Sequence, residues 1–275
     1  MQLGIGAWRW GQHYGRRLKR LEDHYDEALA SVKAAGASCF EPFLSEDAAD
    51  RERLGKAMDR HGLALLSTYR NVRLHEPGAE ASFDALTEAA LWAKARGAQC
   101  LTINAEPLAW GKPQDKTDDQ LRLQGRALRA LCSTLSAEGV LVAYHIHDAE
   151  LRHGARELHA MLAAVPAELM GFCFDPQWVH RGCGGSQVAV ETLLSLYGER
   201  LCCLHLRQTQ GGIFTESFQQ GGDIDFTPIA AYVTQHCPTI PVYIEQGWEP
   251  GTPESLSRTD TDQRSITEAR ELFGS

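Results

Sequence analysis

Short apolar runs alternate with longer amphipathic stretches along the whole chain, and this alternation predicts the architecture. Eight runs have the β-branched, aromatic or continuously apolar character of buried strands: Leu3–Ala7, Ser38–Pro42, Ala64–Tyr69, Cys100–Asn104, Leu141–His145, Gly171–Asp175, Leu201–Leu206 and Val242–Glu245. Their centres lie about 30 to 40 residues apart, the length of one strand–helix unit. Helical periodicity fills the gaps. Leu21, Tyr25, Ala28, Leu29 and Val32 share one helical face, as do Phe83, Leu86, Ala89, Ala90 and Ala93, and as do Leu128, Leu131, Cys132 and Leu135. Gly36, Gly97 and Gly139 follow these three helices, where a left-handed residue stops a helix. The segments Lys33–Cys39 and Lys94–Cys100 repeat the same pattern of helix end, glycine turn and strand start.

Strict alternation of strands and helices implies a parallel sheet. An open doubly wound sheet usually carries a Gly-rich phosphate turn after its first strand. Here Trp8, Arg9 and Trp10 fall where the third glycine would stand. Eight units with no linker and no break in composition predict closure into a single-domain (β/α)8 TIM barrel over residues 1–275. The longest loops, 106–116, 208–224 and 246–261, all follow strands and so belong to the catalytic end of such a barrel.

Composition narrows the partners. The net charge of −9 argues against nucleic acid, whose phosphates need clustered Lys and Arg. No apolar stretch reaches the ~18 residues of a membrane span. The apolar N-terminus has Arg9 inside it and no basic segment before it, so it reads as a strand and not a signal peptide. The eight cysteines form no CxxC pair, which fits buried free thiols in the reducing cytoplasm better than disulfides or a structural zinc site.

The strand ends carry the candidate chemistry. His145, Asp175, His205 and Glu245 end or nearly end strands five to eight and are spaced 30, 30 and 40 residues apart. Each alone has a structural reading: a turn aspartate before Pro176, a satisfied core histidine, a salt-bridged glutamate. Their recurrence once per unit converges two imidazoles and two carboxylates on one point, a set suited to Mn, Fe, Co or Zn in preference to Ca or Mg. His147 points to the same side of its strand as His145. Glu150 either reaches back over that strand end or stays in solvent. Arg207 shares a side with His205 and is placed to bind a substrate oxyanion or an acidic neighbour. Glu41, Arg70, Asn104 and Glu106 close or follow strands two to four, as hydroxyl-binding candidates or ordinary loop residues. Trp8, Trp178 and Trp248 follow strands one, six and eight, either as walls for sugar C–H faces or as packing. His180 lies five residues after Asp175.

Several segments carry a family resemblance: Gly139–His147, Phe174-Asp175-Pro176, Leu204-His205-Leu206-Arg207, Gly221–Phe226 and Tyr243-Ile244-Glu245. Over nearly its whole length the chain resembles the sugar phosphate isomerase/epimerase superfamily of xylose-isomerase-like TIM barrels. The resemblance implies a metal held by Asp175, His205, Glu245 and a strand-five residue. It also implies proton transfer through an enediolate on a keto-sugar, sugar acid or polyol, with Glu245 and His145 or His147 as the exchanging groups. Arg207, Trp8, Glu41, Asn104, Trp178, His180 and Trp248 would line the substrate.

Two departures from the pattern bear on the reaction. His145 stands where the epimerases usually carry Glu, and Trp178 stands where a His often follows the strand-six Asp. The tyrosine and paired histidines of strand five also resemble inosose dehydratases, which leaves a lyase as an alternative. An endonuclease IV-like hydrolase and a non-catalytic barrel are more distant readings. The expected partner is a small carbohydrate, with self-association open.

Overall fold

The computed structural model describes residues 1–274. All eight expected strands form. They are β1 (Gln2–Gly6), β2 (Cys39–Glu41), β3 (Ser67–Val72), β4 (Cys100–Ala105), β5 (Leu141–His145), β6 (Met170–Phe174) and β7 (Leu201–Leu206), then, after the hairpin β8 (Thr209–Gln210) and β9 (Ile213–Phe214), β10 (Pro241–Ile244). The strand order is β2-β1-β10-β7-β6-β5-β4-β3, with helices between successive strands, and the fold is a (β/α)8 TIM barrel. The helices are α1 (Ala7–Gly15), α2 (Tyr25–Ala34), α3 (Ala48–His61), α4 (Phe83–Ala95), α5 (Asp118–Ala137), α6 (Asp148–Ala164), α7 (Pro176–Gly182), α8 (Gln187–Tyr197), α9 (Thr227–His236) and α10 (Arg258–Phe273).

Six of the eight strands differ from expectation by one to three residues at an end, β2, β4 and β10 by a single residue, so that Glu245 follows β10 directly. β1 stops at Gly6, because Ala7, Trp10 and Tyr14 recur at helical spacing and bury one side of α1. β3 begins at Ser67, since Ala64 is used in a separate bridge to Cys39, and Arg70 therefore lies inside the strand and not after it. β6 stops at Phe174, and Asp175 becomes the N-cap of α7, whose first residue is Pro176. Proline suits that position, where its missing N–H would have had no partner.

By contacts the described chain comprises two compact units, residues 1–67 with 204–274, and residues 68–203. In the first, β1 pairs in parallel with β10 and β2, and β10 with β7. Tyr243 stands opposite His205, and Gly6 opposite Glu41. Gly4 permits this close approach: a Cβ there would lie 2.6 Å from Cys39 Sγ and 2.8 Å from the Tyr243 ring.

In the second unit β5 pairs with β4 and β6, which sets Asn104 opposite His145. Leu128, Leu131, Cys132 and Leu135 of α5 are fully buried as their periodicity predicts. Each fully buried leucine stabilises by about 1.5–3 kcal/mol. Thr117 and Gln120 close a capping box at the start of α5. Gly36, Gly97 and Gly139 all take positive φ, as expected of helix stops. Helix α6 is broken within, where His153, Gly154 and Ala155 take left-handed backbone. No helix among the described residues is long and apolar enough to cross a membrane.

Candidate active site

Each unit gathers its own strand-end residues. In the first, His205 lies between two carboxylates. Its Nε2 is 2.8 Å from Glu41 Oε2, and its Nδ1 is 3.4 Å from Glu245 Oε2. All three side chains are buried. Ser67 Oγ donates to the other Glu41 oxygen at 2.6 Å. Burying charge without partners is costly, and here each charged group faces another. Arg207, also buried, donates to Glu245 Oε2. Of the two roles open to Arg207, the structure gives it the acidic neighbour. His205 and Arg207 reach the same carboxylate, as two residues on one side of an extended chain must. Gly6 leaves room for Glu245, because a Cβ at that position would collide with its carboxylate.

The end of this strand set is braced by amides that the sequence did not single out. Gln208 N–H donates to Gln246 Oε1 at 2.8 Å, and Gln246 Nε2 donates back to Gln208 O at 2.8 Å. Gln246 Nε2 also donates to Thr215 O, which ties the 208–224 loop to β10. Arg9 is buried against Asp262 and donates to Gln246 O. Glutamine next to a strand-end glutamate was the available signal, but a lone amide carries no period. Trp248 is tied to α1: its backbone N–H donates to Gln12 Oε1 at 2.8 Å, and the Arg16 guanidinium lies 3.7 Å over its ring. One ring face is thus already taken. Trp8 is exposed on the first turn of α1.

In the second unit His145 Nε2 lies 3.6 Å from Asp175 Oδ2, and both side chains are fully buried. Asp175 Oδ1 accepts from the Gln177 and Trp178 backbone N–H groups, at 3.1 and 3.2 Å. The turn role and a site role therefore use different oxygens of one carboxylate. His145 and His147 do share a side, with ring centroids 4.9 Å apart. His147 packs edge-on to Trp110 at 5.1 Å and tilted to Trp178 at 4.9 Å. Trp110 comes from the 106–117 loop and was not anticipated from sequence. That loop is fastened to α6 through Asp115, which accepts from Arg152 Nε at 2.6 Å. His180 is half-buried in α7.

Glu150 reaches back over the strand end. It is fully buried, accepts from Asn104 Nδ2 at 2.9 Å, and accepts from His147 N–H at 2.9 Å. Burial, followed by the nearby Glu157 charge, pushes its carboxyl up to about 8. Glu157 itself is held by Lys116 Nζ at 2.6 Å and Gln124 Nε2 at 2.7 Å. Asn104 also donates to His145 O at 3.2 Å, so it connects Glu150 to β5.

The family described as xylose isomerase-like TIM barrel matches residues 29–264. No curated protein sequence matches the chain. Among solved structures, D-allulose 3-epimerase from Methylomonas sp. is similar at 15% identity and TM-score 0.74, over 99% of this chain and 98% of that one. The 3-keto-D-glucoside 4-epimerase from E. coli is similar at 12% identity and TM-score 0.69, over 98% and 99%. The IOLI protein, solved with a zinc atom, is similar at 13% identity and TM-score 0.69, over 100% and 98%. At these identities the likeness is one of fold.

Proposed function

The chain belongs to the xylose isomerase-like TIM barrel family, and from that premise we propose that it is a divalent-metal-dependent isomerase or epimerase of a keto-sugar, sugar acid or polyol. In a (β/α)8 barrel the C-terminal strand ends open on the catalytic end. The proposed metal ligands are His145, Asp175, His205 and Glu245, all buried. The observation that carries the reading is the Glu41–His205 pair. A metal-binding histidine commonly presents one ring nitrogen to the ion and the other to a carboxylate that fixes its orientation. Nε2 of His205 has such a carboxylate, and its Nδ1 turns toward Glu245. Two imidazoles and two carboxylates suit Mn, Fe, Co or Zn.

When bound, the ion would supply Lewis acidity to adjacent carbonyl and hydroxyl oxygens of the substrate. The protein's own residues do the rest. Glu245, held in place by Arg207, removes and returns a proton at the carbon beside the carbonyl, and His145 or His147 serves the opposite face. Trp178 and His147, with Asn104, Trp8, His180 and Trp248, line the carbohydrate. The folds shared with two sugar epimerases and with a zinc-containing protein support this reading.

The test is proton exchange. Candidate ketoses incubated with the metal-loaded enzyme in D₂O should gain deuterium next to the carbonyl. The wild-type chain should hold about one metal ion, lost in the His205→Ala/Glu245→Gln variant. Deuterium gain accompanied by loss of water from the product would identify a lyase of the inosose-dehydratase kind. Protein that stays metal-free after reconstitution and exchanges no proton across a broad panel overturns the proposal.

A further inference from the structure

A polar cavity lies beside the loop after β10, and none of the proposed metal ligands lines it. It has a volume of about 160 Å³ and is enclosed by the C-terminal half of α1, the loop after β10 and the first turn of α10. His13, Arg17 and Arg258 line it, together with the carboxylates of Glu216 and Glu254. The Trp248 ring also lines it and is shared with the carbohydrate wall proposed above; the five charged and imidazole side chains have no part in that chemistry.

The carboxylates are already engaged. Glu254 accepts from Arg16 NH1 and NH2 at 3.0 and 2.7 Å, and from Trp248 Nε1 at 2.8 Å. Glu216 accepts from Ser255 Oγ at 2.6 Å and from Leu256 N–H at 2.7 Å. The cations have capacity left. Arg258 is half-buried, and its Nε is shielded from solvent with no hydrogen-bond partner among the described residues. Arg17 uses NH1 on His13, donating to its carbonyl at 2.8 Å and to Nδ1 at 3.1 Å. The rest of its five-donor fork remains.

Burial, then Arg17 and Arg258, push His13 down to about 4. Burial, then Arg9, push Arg258 down to about 10, although Asp262 opposes the shift. His13 is therefore neutral near pH 7. With Nδ1 accepting from Arg17, its proton sits on Nε2 as a further donor. The start of α10, a 16-residue helix capped by Ser257, adds the partial positive charge of its first turn.

We propose that this cavity binds a phosphoryl group, held by Arg17 and Arg258 with His13 and the start of α10. Two sources share that chemistry, a phosphorylated sugar and free phosphate. The site is separate from the metal ligands, and its test needs no turnover, so it stands or falls apart from the isomerase reading.

The probe is inorganic phosphate, titrated into the full-length chain by calorimetry, with sodium chloride of matched ionic strength as the control. Saturable binding is expected, weakened about tenfold in Arg17→Gln and further in Arg17→Gln/Arg258→Gln, as loss of charge-assisted hydrogen bonds requires. Arg17 is exposed, so its single variant keeps the test valid if the double variant fails to fold. A ketose phosphate that binds more tightly than the unphosphorylated ketose, with the difference lost in Arg17→Gln, identifies the source as a phosphorylated sugar. Phosphate binding with no such difference identifies free phosphate. Absence of saturable phosphate binding, or binding that Arg17→Gln leaves unchanged, overturns the proposal.

Discussion

Glu41 Oε2 lies 2.8 Å from Nε2 of His205, two fully buried groups brought together from β2 and β7. A carboxylate in that position orients the imidazole and selects which ring nitrogen faces the strand-end carboxylate Glu245. Glu41→Gln keeps the shape and removes the charge. Affinity for the proposed metal ion, measured by chelator competition, should fall about 10–100-fold while the far-UV spectrum is unchanged. An unaltered affinity would mean that Glu41 does not act through His205.

Gly6 is expected to be intolerant for a purely steric reason. In Gly6→Ala the new methyl would collide with the Glu245 carboxylate. Overpacking of this kind costs about 1–3 kcal/mol, and the displaced carboxylate should also weaken retention of the proposed metal ion. Gly15→Ala, where the added atom meets nothing within 4 Å, is the matched control and should retain both stability and metal.

Glu150 gives stability a pH dependence. Its folded-state value, about 8, lies above its ordinary one near 4.5. A group raised in the folded state binds its proton more tightly there. Its contribution is therefore fully present below its unfolded value and is lost as pH rises through the folded value. Urea midpoints should fall between about pH 4.5 and pH 8, and Glu150→Gln should flatten that slope. Glu157→Gln removes the like charge beside it and should shift the fall in stability to lower pH. A wild-type slope that survives Glu150→Gln would assign the dependence to another group.

The buried Lys116–Glu157 pair should tolerate removal of both partners better than removal of one. Lys116→Met alone leaves a buried carboxylate with only Gln124 and should cost about 3–5 kcal/mol. Lys116→Met/Glu157→Leu should recover most of that loss in chemical denaturation. A double variant no more stable than the single would contradict this account.

The sequence by itself determined the order and type of the barrel elements. Apolar periodicity is a local property, so the eight strands and the buried faces of α2, α4 and α5 were legible without coordinates. So were the strand-end positions of His145, Asp175, His205 and Glu245, because the repeat of the strand–helix unit marks them. Several strand ends were misplaced by one to three residues, among them those where helix capping at Asp175, helical packing at Trp10 and the Cys39–Ala64 bridge overrode propensity. Tertiary structure decided which polar groups meet. Nothing local distinguishes Glu41 as the partner of His205, Ser67 as the partner of Glu41, or Arg207 as a brace for Glu245 and not a free cation. The same holds for Glu150, buried with Asn104 and the His147 N–H as its partners, and for Trp110, which a loop 37 residues before His147 brings against that ring. A side chain's charge state, orientation and partner depend on neighbours distant in sequence, and only the closed chain supplies them.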